Sequence, residues 1–115
     1  MVPLLVGQAA PQEVCQVLEL LWGGQETLVV ISSDLSHYHD YESARRLDRA
    51  TSQAIEALRD QDLRPDQACG CIPIRGLLQA VRQRRLRAEN VDLRNSGDTA
   101  GHKHEVVGYG SWVLG

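Results

Sequence analysis

The densest group of reactive side chains lies in the segment Ser32–Tyr38. It places the carboxylate of Asp34 three residues before the imidazole of His37. Such a pair can act in acid/base catalysis or bind a metal. The segment is equally consistent with Asp34 capping the next helix while His37 makes an ordinary hydrogen bond, and both interpretations stay open. A serine hydrolase triad is disfavoured, because the glycines of a nucleophile elbow are missing.

A second reactive feature is the pair of thiols Cys69 and Cys71, which one glycine separates. Thiols bind soft metals, but a structural zinc site has wider spacing between its cysteines and uses two such pairs. Cys69 lies directly before a predicted helix, where amide dipoles would favour a thiolate. The alternative is that both cysteines are small packing residues. A disulfide scaffold is not expected from three cysteines without a secretory signal.

Two further groups carry imidazoles without forming a convincing site. His102 and His104 flank a lysine in a turn-rich loop, and we interpret them as an exposed polar tip. His39 and Asp40 are interpreted as residues at the entry to a helix.

The element that precedes the first reactive segment is the clearest predicted strand, residues 27–31. Four of its five residues are apolar. Continuous apolarity is typical of a strand covered on both faces, as in the centre of an α/β sheet. Because ligands of such sheets gather beyond the carboxyl ends of strands, Ser32–Tyr38 occupies the expected place for a site.

The remaining elements follow from hydrophobic periodicity and from turn residues. We predict further strands at 4–6, 87–94 and 106–114, a turn-rich loop at 95–101, and helices from Pro11 to just before Gly23, over 41–60 and from about 72. The order βαβααββ indicates an α/β fold with helices packed on a mixed sheet. A chain of 115 residues permits one domain.

Composition excludes several classes of protein. No apolar run approaches the ~20 residues of a membrane-spanning helix, and no targeting segment is recognisable, so we expect a cytoplasmic protein with no membrane partner. The chain carries a net charge of −3, yet residues 72–90 contain five arginines. No aromatic residues interleave with them to stack on bases, so a solvated helix face is favoured over nucleic-acid binding.

Three motifs in register resemble the Memo family, which is similar in fold to the class III, non-haem iron extradiol dioxygenases. They are Val29–Tyr38, Ala68–Ile74 and the closing strings Asn95–Thr99 and Val106–Gly110. The resemblance runs from about Pro3 to Leu114. It implies a single domain over 1–115 that corresponds to the C-terminal portion of a Memo/extradiol-dioxygenase-like domain.

The resemblance also implies a set of site residues. His37 is similar to the pocket histidine that acts as acid/base beside the metal in the related dioxygenases. Cys69 takes the place of a dioxygenase glutamate ligand, and Asp34 lines the same pocket. The implied metal ligands are thus Cys69 and His37, the implied catalytic groups are His37 and Asp34, and the metal is iron, copper or zinc. Cys71 has no counterpart and is not assigned to the site.

The family's two metal-binding histidines lie in its N-terminal half, and neither His102 nor His104 matches them. The metal site is therefore expected to be incomplete in this chain. A strand that is central in the complete sheet would be left as an apolar edge, which invites pairing with another chain. We expect a homo-oligomer or a partner that supplies the N-terminal half.

Three functions from different classes follow. The first is a metal-dependent, dioxygenase-like oxidoreductase with Cys69 as ligand and His37 as acid/base. The second is a non-enzymatic adaptor that binds a peptide or a small molecule in the same pocket, since fold similarity does not establish a reaction. The third is a redox-responsive protein that uses Cys69 and Cys71.

Overall fold

The secondary structure was taken from a computed structural model that describes residues 1–99 and 102–115. In chain order its elements are α1 (Pro11–Leu21), β1 (His37–His39), α2 (Tyr41–Glu56), α3 (Cys71–Gln83), β2 (Ala88–Asn95) and β3 (Val106–Leu114), with 3-10 turns at Asp60–Asp62 and Ser96–Asp98. The predicted α/β class is confirmed, and all three helices begin at or next to their predicted first residues. No helix in the described part of the chain could span a membrane.

The sheet is built around β3, which lies between β1 and β2 and runs antiparallel to both. The long β2–β3 pair runs from Ala88 opposite Leu114 to Asn95 opposite Gly108. Helix α2 lies against this pair, and the core fills the space between α2, α3 and β3. Its fully buried members are Ala54, Ile55, Leu63, Cys71 and Leu78.

Helices α1 and α3 approach each other closely at Gly76. A Cβ atom at this position would lie 2.5 Å from Cβ of Val14 and 3.0 Å from the carbonyl oxygen of Pro11. Glycine therefore permits the buried face of α1 to rest on the backbone of α3. This packing fixes α3, whose first turn follows Cys69.

The predicted strands at 4–6 and 27–31 are wrong. Neither segment has strand structure, and Leu5 is 100% exposed while Leu28 is 85% exposed. A strand exists only through hydrogen bonds to a neighbouring strand, and within the described ranges neither segment has one. The second predicted strand is replaced by β1, which begins six residues beyond Ile31.

The two carboxy-terminal strands are confirmed as β2 and β3. The loop between them begins with the Ser96–Asp98 turn, in which the side chain of Asn95 accepts a hydrogen bond from the N–H of Gly97 at 2.9 Å. Ala100 and Gly101, which belong to the predicted 95–101 loop, lie outside the described residues.

Candidate functional site

Cys69 lies against the backbone of the segment that follows residues 27–31. Its Sγ accepts a hydrogen bond from the N–H of Asp34 at 3.3 Å and lies 3.6 Å from the hydroxyl oxygen of Ser33. The N–H of Gly70 donates to the same hydroxyl at 2.8 Å. Two motifs that are far apart in sequence therefore meet at one place.

Gly70 makes this approach possible. A Cβ atom at residue 70 would lie 2.7 Å from Cβ of Ser33 and 3.1 Å from the carbonyl oxygen of Ser32. Any larger residue would push the Cys69 turn away from the Ser33–Asp34 backbone. The glycine between the two cysteines thus serves close backbone packing.

Asp34 and His37 form the other half of the cluster. Nε2 of His37 lies 3.6 Å from Oδ2 of Asp34, and the two side chains are 40% and 51% exposed. The separation exceeds an ordinary hydrogen bond, so the carboxylate and the imidazole are neighbours that solvent or a ligand can reach. Asp34 therefore contacts Cys69 through its backbone and His37 through its side chain.

The segment that carries Asp34 and His37 is anchored on β3. The N–H of Leu35 donates to the carbonyl oxygen of Gly108 at 2.9 Å, and the N–H of Gly108 donates to the carbonyl oxygen of Ser36 at 2.8 Å. Beyond this anchor, Tyr38 has φ of 63° and the pairing register of β1 shifts between His37 and His39. A left-handed tyrosine is uncommon, and the bulge sets the direction in which the adjacent His37 projects.

Asp48 of α2 is a structural partner of this segment that sequence reasoning missed. The carboxylate is 2% exposed, and its Oδ1 accepts a hydrogen bond from the N–H of Ser36 at 3.1 Å. Burial raises the pKa of Asp48, and the hydrogen bonds from Ser36 offset this only in part. The available signal was a charged residue on the apolar face of α2, four residues after the buried Ala44.

The predicted metal ligands do not make a complete metal site. Within residues 1–99 and 102–115, no three His, Cys, Asp or Glu side chains are grouped so that they could hold a metal ion. Cys69 and His37 both border Asp34, but a tight site needs three or four protein ligands. The described donors fit part of such a site and not the whole of it.

The other candidates remain outside this cluster. The rings of His102 and His104 face each other at 6.0 Å between centroids, in the loop before β3. Cys71 is 2% exposed and lies in the core, where burial raises the pKa of its thiol. His39 lies at the end of β1, directly before the Asp40 cap of α2.

A family model described as Memo-like protein matches residues 1–113, which is nearly the whole chain. The chain belongs to the Memo family.

Individual relatives agree with this membership. A MEMO1 family protein of Aquifex aeolicus is 36% identical over 92 residues, which are 74% of this chain and 34% of the relative. One from Aeropyrum pernix is 34% identical, covering 75% of this chain and 33% of the relative. One from Archaeoglobus fulgidus is 30% identical over 98% of this chain and 47% of the relative. The chain thus spans less than half the length of these Memo relatives.

Next to the Cys69 cluster, this Memo chain has an apolar cavity of about 480 Å³. It lies between residues 27–31 on one side and α3 and β3 on the other. Its largest lining side chains are Trp22, Ile31, Ile74, Leu77, Leu78 and Trp112. Ser33 lines its edge as well, so the cavity borders the residue that contacts Cys69.

Proposed function

We propose that this chain supplies one part of a Memo-type metal pocket. In this pocket Cys69 and His37 are metal ligands, and Asp34 and His37 are the groups that act on a substrate. The observation that carries the proposal is the position of Asp34. Its N–H holds Sγ of Cys69 at 3.3 Å, and its carboxylate lies 3.6 Å from Nε2 of His37.

The chemistry of the donors supports a transition metal. A thiolate with an imidazole suits zinc or copper better than the harder carboxylate-rich set of oxygen-activating iron sites, although iron stays among the candidates. A bound metal would supply Lewis-acid or redox chemistry at this place. Further ligands from outside the described cluster are required, because two protein donors bind a metal weakly.

The chain's own residues would handle the substrate and its protons. Nε2 of His37 is the atom that takes or gives a proton, since the ring is accessible and its other neighbours are backbone and solvent-facing. The carboxylate of Asp34 restricts the orientation of the ring from one side. The activity proposed for the complete pocket is that of a metal-dependent, dioxygenase-like oxidoreductase.

A second candidate function is a non-enzymatic, ligand-binding module or adaptor. The cavity of about 480 Å³ favours it, because that volume and its apolar lining suit a small organic ligand or an apolar peptide side chain. Such binding would use the same neighbourhood as Cys69 without any chemical step.

The experiment that tests the proposal is metal content per folded chain after reconstitution with iron(II), copper or zinc. The variants are Cys69→Ser and His37→Ala, and the matched control is His104→Ala, which removes an exposed imidazole outside the cluster. We expect binding by the wild type and by the control and its loss in both site variants. Equal metal content in all four proteins would contradict the proposal.

A further inference from the structure

We propose that residues 27–31 form an open strand edge on which the remaining portion of a Memo-family domain docks by β-addition. We call this surface the open edge. The occupant is a polypeptide that presents a β-strand with apolar side chains, from the part of the family domain that this chain does not match. The consequence for the pocket rests on the proposed function, whereas the docking itself rests on the observations that follow.

The side chains of the open edge already alternate as they do in a strand. Leu28 and Val30 are 85% and 75% exposed, while Val29 and Ile31 are half-buried against the cavity. This period of two indicates an extended segment with one face inward and one face outward. Two large aliphatic side chains, close together and facing solvent, mark a surface that another protein element covers.

The backbone of the open edge is free to pair. The N–H of Thr27 donates to the carbonyl oxygen of Gly24 at 3.1 Å. Beyond that bond, no backbone group of 27–31 is hydrogen-bonded to any other residue in the described ranges. An unpaired and uncharged apolar segment is a template for strand addition, and neither a proline nor a charged residue within it opposes such pairing.

The cavity behind the open edge shows that the apolar layer is underfilled. It measures about 480 Å³ and is walled by Leu77, Leu78 and Val81 of α3 and by Trp112 of β3. Protein interiors rarely leave voids of more than a water molecule. Additional apolar side chains are therefore needed to complete packing between the open edge and the sheet.

The length of the relatives identifies the occupant. The chain spans 34% of the Aquifex aeolicus protein and 47% of the Archaeoglobus fulgidus protein, so each relative contains further polypeptide longer than the matched part. A second copy of this chain would satisfy the backbone of the open edge. It would, however, bring an identical unfilled cavity of its own, so the unmatched portion of the family domain is the better occupant.

Docking at the open edge would also reach the pocket. The edge ends one residue before Ser32, and Ser33 and Asp34 contact Cys69 directly. A strand added beside 27–31 would place its own residues next to the Cys69–Asp34–His37 cluster. That is where the additional metal ligands are required.

The test is co-expression of this chain with the N-terminal portion of the Aquifex aeolicus relative, up to the point where its match to this chain begins. We expect a 1:1 complex in sedimentation velocity and slowed hydrogen exchange at the amides of 28–31. Val30→Asp places a charge on the outward face of the open edge and should abolish the complex. Val91→Asp is the matched control, because Val91 is a comparably exposed valine on β2, at 64%.

Recovery of the two polypeptides in separate fractions would overturn the proposal, as would a complex that survives Val30→Asp. A homodimer that protects 28–31 and excludes the added portion would assign the open edge to a second copy instead. Metal content of the complex separates this proposal from the proposed function. A complex that forms and binds no metal supports docking alone, and metal binding by the isolated chain without a complex supports the pocket alone.

Discussion

The N–H of Asp34 donates a hydrogen bond to Sγ of Cys69 at 3.3 Å, across 35 positions of sequence. The carboxylate of the same aspartate lies 3.6 Å from Nε2 of His37. One residue thus joins a thiol and an imidazole that come from different elements. This relationship distinguishes Cys69 from the other two cysteines and leads to the first prediction.

Cys69 should be the thiol that reagents reach first. It is exposed, whereas Cys15 and Cys71 are buried, and burial raises the pKa of both of their thiols. Treatment of the folded protein with iodoacetamide near neutral pH should label Cys69 faster than the others by about tenfold or more. Peptide mass spectrometry over a time course measures the three rates. Similar rates at all three thiols in the folded state would contradict the structure.

The glycine next to Cys69 should tolerate no side chain. In Gly70→Ala the new Cβ would meet Ser33 at 2.7 Å, so the Cys69 turn must move and its contact with Asp34 is lost. We expect a loss of about 1–3 kcal/mol in the free energy of unfolding, the range of overpacking substitutions. Urea denaturation gives the value. Gly7→Ala is the control, since nothing lies within 4 Å of a Cβ atom there, and its stability should be unchanged or slightly raised.

The buried carboxylate of Asp48 should make stability depend on pH in a defined direction. Burial raises the pKa of Asp48 above its usual value of 3.8, against the effect of hydrogen bonds from Ser36 and of the charge of His39. The folded state then binds the proton more tightly than the unfolded state. The resulting stabilisation is fully present below pH 3.8 and is lost as the pH rises through the raised pKa of the folded state.

Replacement of this residue should remove that dependence. We expect Asp48→Asn to gain stability relative to the wild type as the pH rises from 3.8 towards neutrality, because its amide oxygen still accepts from Ser36 and carries no charge. Thermal unfolding across this pH interval measures the difference. Asp66→Asn changes an exposed carboxyl and should track the wild type. Parallel profiles for wild type and Asp48→Asn would show that Asp48 does not titrate in this way.

Much of the fold could be predicted from local patterns. Pro11 at the first helical position, the aliphatic periodicity of α2 and α3, and the alternating strands near the carboxy terminus are all properties that nearby residues determine. Residues 27–31 differ, because their strand propensity is local while the hydrogen bonds that define a strand depend on a neighbour. Within the described residues that neighbour is missing, and the segment lies open with Leu28 and Val30 in solvent.

The candidate site shows the same division. The motifs around Asp34, His37 and Cys69 resemble one family pocket, and the structure brings the backbone of Asp34 against Cys69. Asp48 was missed, since a single aspartate in a helix has no local signal for the Ser36 amide that it accepts from. The left-handed Tyr38 was missed for a related reason: nothing in its residue type predicts the bulge against β3 that requires it.

The central claim is that Cys69 and His37 bind one metal ion, and cobalt(II) titration followed by absorption spectroscopy tests it most directly. The account predicts a near-ultraviolet thiolate-to-cobalt charge-transfer band that disappears in Cys69→Ser. It also predicts visible ligand-field bands that change in His37→Ala and stay as in the wild type in His104→Ala. A charge-transfer band that persists in Cys69→Ser, or spectra of His37→Ala identical to the wild type, would contradict it.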